Sequence, residues 1–202
     1  MELYHNNKYE IGIDEAGRGP FFGSVYAGAV ILGDIDTDND VVQIINDSKK
    51  LSKKKRRICE EWIKENVLDY GVGYATAEEI DEMNILEATK LAMNRAINNL
   101  TTMHKELLVI DGVRWENKFD IESVSIVKGD ATYLNIACAS ILAKEEHDRH
   151  IEELCKEHPE LNEHYDLLKN MGYGTKKHIE GIKKHGFSNY HRKTFKIKQL
   201  QN

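Results

Sequence analysis

The hydrophobic pattern of the chain opens with an alternation. Tyr9, Ile11 and Ile13 fall on one side of a period-2 run and Glu10, Gly12 and Asp14 on the other, which predicts a strand over Tyr9–Asp14. Gly17 and Gly19 break it. Gly23–Leu32 follows as a second, mostly apolar strand, and the two are expected to pair as a hairpin. Ser52–Val67 reads as a helix opening at a serine cap, and Tyr70–Thr76 as a strand. Ile85, Ala88, Leu91, Ala92, Ala96 and Leu100 recur near a 3.6 period, predicting a helix over Asn84–Leu100. Glu106–Asp111 reads as a short buried strand, and Ser123–Val127 as another, alternating Val124 with Ile126. Ala131–Cys155 reads as a long helix with a small-residue face near Ala137, Ala139 and Ala143; after Pro159 come short helices and glycines. Strands that arrive first as a hairpin and then alternate with helices predict an α/β chain, a mixed sheet with helices packed on it. A soft boundary is placed near residue 155, between a body over 1–155 and a basic helical appendage over 156–202.

Size and composition narrow the class. A chain of 202 residues with 41% hydrophobic and 31% charged residues has enough core for one domain, or one plus a small appendage. Met1–Glu10 lacks the apolar core of a signal peptide. The longest apolar-leaning runs, Gly23–Leu32 and Leu134–Ala143, are too short to span a bilayer, so a cytoplasmic protein without a membrane partner is expected. Cys59, Cys138 and Cys155 are widely spaced and form no CxxC pair, pointing to neither a zinc site nor a disulfide framework.

Charge changes the picture more. The net charge of −6 argues against a nucleic-acid partner until its distribution is read. Gly174–Asn202 holds eight Lys/Arg against one acid, Glu180, while the remainder holds 20 against 33. Lys49, Lys50, Lys53, Lys54, Lys55, Arg56 and Arg57 form a second cluster with no acid. Two basic patches on an acidic body can track a phosphate backbone; a solvated charge run would look the same.

The acids at strand ends hold the candidate chemistry. Asp14 and Glu15 close the first strand, Asp111 closes the fourth, and Asp130 follows the fifth through Lys128-Gly129. Side chains at strand ends of an open sheet can converge on one crevice. Four carboxylates so gathered would hold magnesium or manganese, hard cations that take oxygen ligands. Two such ions about 3.5–4 Å apart can activate water and stabilise the leaving oxygen of a phosphodiester. Without a cation the same carboxylates would repel one another. Taken singly, Asp14 also fits an ordinary strand end, Asp111-Gly112 a turn, and Asp130 a helix cap. Strict alternation puts Glu15 opposite Asp14 unless the chain bends at Gly17 and Gly19.

These residues fall in motifs that resemble one family. Asp14-Glu15-Ala16-Gly17-Arg18-Gly19-Pro20 is similar to the signature of ribonuclease HII, the type 2 ribonucleases H. In order follow likenesses to its DSKKLS (Asp47–Ser52), DG (Asp111-Gly112), KGD (Lys128–Asp130), ASILAK (Ala139–Lys144), GYGT..H (Gly172–Thr175 with His178) and HR.SF (His191-Arg192 with Phe195) segments. The resemblance implies a ribonuclease H-like mixed sheet flanked by helices, with a small C-terminal helical segment. It implies Asp14, Glu15, Asp111 and Asp130 as metal-binding and catalytic acids, and Mn2+ or Mg2+ as cofactor. It also implies cleavage on the 5′ side of a ribonucleotide, leaving a 3′-hydroxyl and a 5′-phosphate. The expected partner is an RNA–DNA hybrid or ribonucleotide-containing duplex DNA, and the chain is expected to be a monomer.

By the same likeness, the Gly17-Arg18-Gly19 loop contacts the ribose 2′-hydroxyl and adjoining phosphate, and Tyr173 packs on the neighbouring sugar. Lys49, Lys176, Lys177, Lys183, Lys184 and Arg192 are candidates for phosphate contacts that position rather than specify. His178 and His185 read as helix-end residues without a role. Three departures stand out: Val113 after Asp111-Gly112, the run Phe21-Phe22-Gly23-Ser24, and Glu145-Glu146-His147-Asp148 after the ASILAK segment. Two rival readings remain: a DNA junction nuclease of the same fold, and a non-catalytic nucleic-acid binding module.

Overall fold

The computed structural model describes residues 1–4, 9–46, 48–113, 115 and 118–200; Asp47, the first residue of the DSKKLS-like segment, lies outside the described residues. Strands β1 (Glu10–Ala16), β2 (Val25–Ile31), β3 (Asp69–Ala75), β4 (Leu107–Asp111) and β5 (Ser123–Ile126) form one sheet in the order β3-β2-β1-β4-β5. The expected hairpin is present, with β1 antiparallel to β2 and Asp14 opposite Gly28. β3 continues antiparallel beyond β2, and β4 and β5 add in parallel on the other side of β1.

Helices α1 (Asp40–Ile44), α2 (Lys53–Asn66), α3 (Ala77–Met83), α4 (Ile85–Asn98) and α5 (Leu134–Glu157) flank the sheet, and α6 (Pro159–Tyr165), α7 (Leu167–Asn170) and α8 (Lys176–His185) follow. The alternation in β1 divides the core. Ile11 and Ile13 face Ala88, Ala92, Met93 and Ala96 of α4, while Gly12 and Asp14 take the side covered by α5. Caps explain the helix starts. Ser52 accepts from Lys55, Thr76 and Glu79 form a reciprocal capping box, and Asn84 accepts from Leu86 and Glu87. α1 and α3 were not apparent in the hydrophobic pattern, being five and seven residues long. The long helix starts at Leu134 rather than Ala131, because Gly129–Ala131 forms a 3-10 turn entered through left-handed Lys128 at φ 58°.

Two glycines set how closely α5 approaches. A Cβ on Gly12 would lie 2.3 Å from the Asn135 carbonyl carbon, and one on Gly28 would lie 2.3 Å from the Ala139 oxygen. No larger residue permits that contact, so the small-residue face of α5 lies directly on the hairpin. α5 crosses the expected boundary at residue 155. Its far end, with Ile151 and Leu154, buries Leu161, Tyr165, Leu167, Ile179 and Ile182 of the C-terminal helices together with Phe22. No helix among the described residues is long and apolar enough to cross a membrane.

Candidate active site

Asp14, Asp111 and Asp130 converge. Each offers a carboxylate oxygen, and these atoms lie within 4.8 Å of one another; Asp14 and Asp130 are buried and Asp111 is half-buried. The convergence follows from the sheet. β1 lies beside β4, so the ends of the two strands are adjacent, and β5 beside β4 brings in the turn that bears Asp130. That turn also fixes Asp111: the N–H of Gly129 donates to Asp111 Oδ1 at 2.7 Å. Asp130 does not cap α5, whose N-terminal position is Tyr133 with no side-chain cap. Asp111 is followed by Gly112 at φ 95°, so a turn and a site residue coincide there.

Glu15 lies outside that trio yet close to it. The bend after β1 lets its backbone N–H donate to Asp14 Oδ1 at 2.7 Å. Its Oε1 accepts from Arg18 at 2.9 Å, while Oε2 is buried with no hydrogen-bond partner among the described residues. Burial raises the Glu15 pKa; Arg18 opposes the shift and the Asp111 charge adds to it. Asp14 is raised well above the ordinary carboxylate range, by burial first and then by Glu15 and Asp111. A hydrogen bond from Ser140 opposes that rise, and Ser140 in turn contacts Ser48 at 2.9 Å. Three crowded acids with one carboxylate held against its charged form make a site suited to a hard cation.

A cleft of about 400 Å³ opens beside these acids, lined by Glu15, the Gly17–Gly19 loop, Ser48, Lys49, Lys144 and Tyr173. Tyr173 is 44% exposed and lies over Gly19, where a Cβ would come 3.3 Å from its ring. The cleft therefore brings the loop, Lys49 and Tyr173 together. Lys176, Lys177, Lys183 and Lys184 are exposed on α8, which starts just after Tyr173.

Three expectations need correction. Arg192 is not a surface phosphate contact, since it is 0% exposed. Its guanidinium is taken up by the carbonyls of Gly17, Arg18, Pro20 and Gly23. The Lys49–Arg57 cluster is not one open patch either. Arg56 is buried against Glu145 and Asp148, and Arg57 and Lys53 pair with Glu152. Glu145, Asp148 and Glu152 share one face of α5 at helical spacing and meet α2 there. His178 is also more than a helix-end residue. It is buried, with Nδ1 at 3.0 Å from the Tyr173 carbonyl and Nε2 at 3.0 Å from His191. Burial, then His178, pushes His191 down to about 3, so it is neutral at pH 7.

Sequence reasoning missed Ser48, Ser140 and Lys144. The signal available for Ser140 was a lone hydroxyl within the apolar stretch Leu134–Ala143. A polar residue on a buried helix face needs a partner, and here it reaches Asp14.

Comparison with known proteins gives one consistent answer. The family model for ribonuclease HII matches residues 11–198. A ribonuclease HII of Phocaeicola vulgatus is 47% identical over 199 residues, 98% of this chain and 94% of its own length. Among solved structures, the ribonuclease H2 of Pyrococcus horikoshii OT3 aligns with a TM-score of 0.70 at 28% identity, over 93% of each chain. The RNase HII of Archaeoglobus fulgidus, solved in complex with PCNA, aligns with a TM-score of 0.73 at 25% identity, over 95% of this chain and 96% of that one.

Proposed function

The chain belongs to the ribonuclease HII family and is a metal-dependent ribonuclease, a hydrolase; more specifically, we propose that it cuts the phosphodiester on the 5′ side of ribonucleotides. Its substrates are RNA–DNA hybrids or duplex DNA holding single ribonucleotides, and its products carry a 3′-hydroxyl and a 5′-phosphate. It acts as a monomer, with residues 1–155 as the catalytic body and 156–202 as a substrate-binding segment.

The observation that supports this reading is the meeting of Asp14, Asp111 and Asp130 within 4.8 Å, on three different strand ends or turns. With Glu15, whose buried Oε2 has no hydrogen-bond partner among the described residues, these carboxylates would hold Mn2+ or Mg2+. Two ions bound there would supply the positive charge that activates water and offsets charge on the leaving oxygen. The chain's own groups do the rest. Ser140 and the Gly129 N–H keep Asp14 and Asp111 in place. Arg18, released from Glu15, and Lys49 face the cleft and can take the phosphates beside the scissile bond. The Gly17–Gly19 backbone approaches the sugar closely and reads its 2′-hydroxyl. Tyr173 packs on the adjoining sugar. Lys176, Lys177, Lys183 and Lys184 hold the duplex by its backbone without reading sequence.

The test is cleavage of two matched duplexes, one all-DNA and one with a single ribonucleotide, with Mn2+ or Mg2+ and with chelator. Cutting confined to the 5′ side of the ribonucleotide, and lost with chelator, is expected. Equal cutting of the all-DNA duplex would favour a DNA nuclease of the same fold instead.

A further inference from the structure

The Gly17–Gly19 loop is held from behind by a side chain far away in sequence. Arg192 Nη2 donates to the Gly17 carbonyl at 2.6 Å, and Nη1 donates to those of Arg18 and Pro20 at 3.1 and 2.8 Å. Its Nε donates to the Gly23 carbonyl at 2.8 Å, and its own backbone N–H donates to that of Phe21. The guanidinium lies 5.2 Å from the centre of the Phe195 ring. Burial pushes its pKa down to about 10, so it stays cationic at neutral pH. A buried cation satisfied by backbone carbonyls alone is a costly way to fill space. It is an effective way to orient peptides. In a trans peptide the N–H points opposite to the C=O, and the described chain has no cis bonds. With the Gly17 and Arg18 carbonyls drawn to Arg192, the N–H groups of Arg18 and Gly19 point away from it.

A second buried side chain abuts the loop at Gly17. Gly17 sits at φ 86°, and a Cβ there would come 2.4 Å from His147 Cδ2. His147 is held by Asp148 at 3.0 Å, and Asp148 by Lys144 at 2.6 Å and Arg56 at 3.1 Å. The histidine stands in one of the departures noted in the sequence.

We propose that Arg192 is the positioning residue that sets the Gly17–Gly19 backbone for reading the ribose, with His147 as a wall that stops the loop from relaxing. The inference rests on the functional reading above. It makes the C-terminal segment part of ribose recognition as well as of backbone grip.

Arg192→Lys is the first test variant, since it keeps the charge but cannot reach several carbonyls at once. His147→Ala is the second, since it opens space against Gly17. The substrate is the single-ribonucleotide duplex with Mn2+, against the all-DNA duplex. For Arg192→Lys, kcat is expected to fall on the order of 10²-fold with a smaller change in KM, as for a misplaced positioning group. Amide hydrogen exchange should quicken over residues 17–23 while β4 is unchanged. His147→Ala should quicken exchange in the same segment with a smaller loss of rate. Wild-type rate and exchange in Arg192→Lys would overturn the proposal. So would faster exchange spread evenly over the chain with a matching drop in Tm, which marks a packing residue. A wild-type chain blind to the ribonucleotide would overturn the functional reading and this inference together. A selective wild type with an equally selective Arg192→Lys would overturn the inference alone.

Discussion

At Asp14, burial and two neighbouring carboxylates push in the same direction, raising its pKa above the ordinary 3.8. An acid whose pKa is raised in the folded state binds more protons folded than unfolded. The metal-free protein therefore pays for the charged site as pH rises from the ordinary carboxylate pKa through the raised one, and the penalty is complete above it. Asp14→Asn removes that charge while keeping the shape. In chelator it should melt higher than wild type at pH 7, and each kcal/mol recovered shifts Tm by roughly 2–4 °C in a domain of this size. The gap should close as pH falls toward 3.8. Added Mn2+ or Mg2+ should raise the Tm of wild type much more than that of the variant, and the variant should not cleave. Scanning calorimetry across pH, with and without metal, checks the set. A variant less stable than wild type in chelator at pH 7 would contradict the crowding of charge inferred here.

Between elements, the basic start of α2 and the acidic face of α5 form a buried joint. Arg56 reaches Glu145 and Asp148, and Asp148 also holds Lys144 and His147. Glu145→Ala leaves Arg56 short of a partner and should cost about 3 kcal/mol, typical of breaking a buried pair. Replacing both partners, Arg56→Leu with Glu145→Val, should recover most of that loss, because Asp148 keeps Lys144 and His147. Urea unfolding of the two variants measures both effects. This joint shows why part of the sequence was illegible. A run of seven basic residues looks the same whether it faces solvent or a partner helix. Only the tertiary contact tells which of them are engaged. The strands and long helices were readable because their periods are local: Ile11 and Ile13 alternate, and Ala88, Ala92 and Ala96 recur. The three aspartates were readable as strand-end acids, but their meeting depends on β1 lying next to β4. Arg192 was misjudged because a basic residue in a basic tail gives no local sign of being buried.

Over the whole molecule, the net charge of −6 hides a division of labour. The acids crowd where metal charge would meet them, and α8, which follows Tyr173, presents four exposed lysines. α8 turns His178, Ile179 and Ile182 inward, so Lys176, Lys177, Lys183 and Lys184 are left on its outer side. Lysines at such a place would displace counterions from a duplex. Each phosphate neutralised contributes a slope of about −0.9 to log K against log salt on B-form DNA. Lys183→Gln with Lys184→Gln should therefore make that slope shallower by about 1–2 and weaken binding at low salt. The change should be alike for ribonucleotide-containing and all-DNA duplexes, because phosphate contacts do not read the sugar. Arg192→Lys should instead leave the slope unchanged, since the arginine it replaces meets backbone carbonyls rather than phosphate. Fluorescence anisotropy titrations over a salt series, in Ca2+ to suppress turnover, separate the two. A slope unmoved by the double lysine change would remove Lys183 and Lys184 from the phosphate-tracking surface and leave Lys176, Lys177, Lys49 and Arg18 as its remaining candidates.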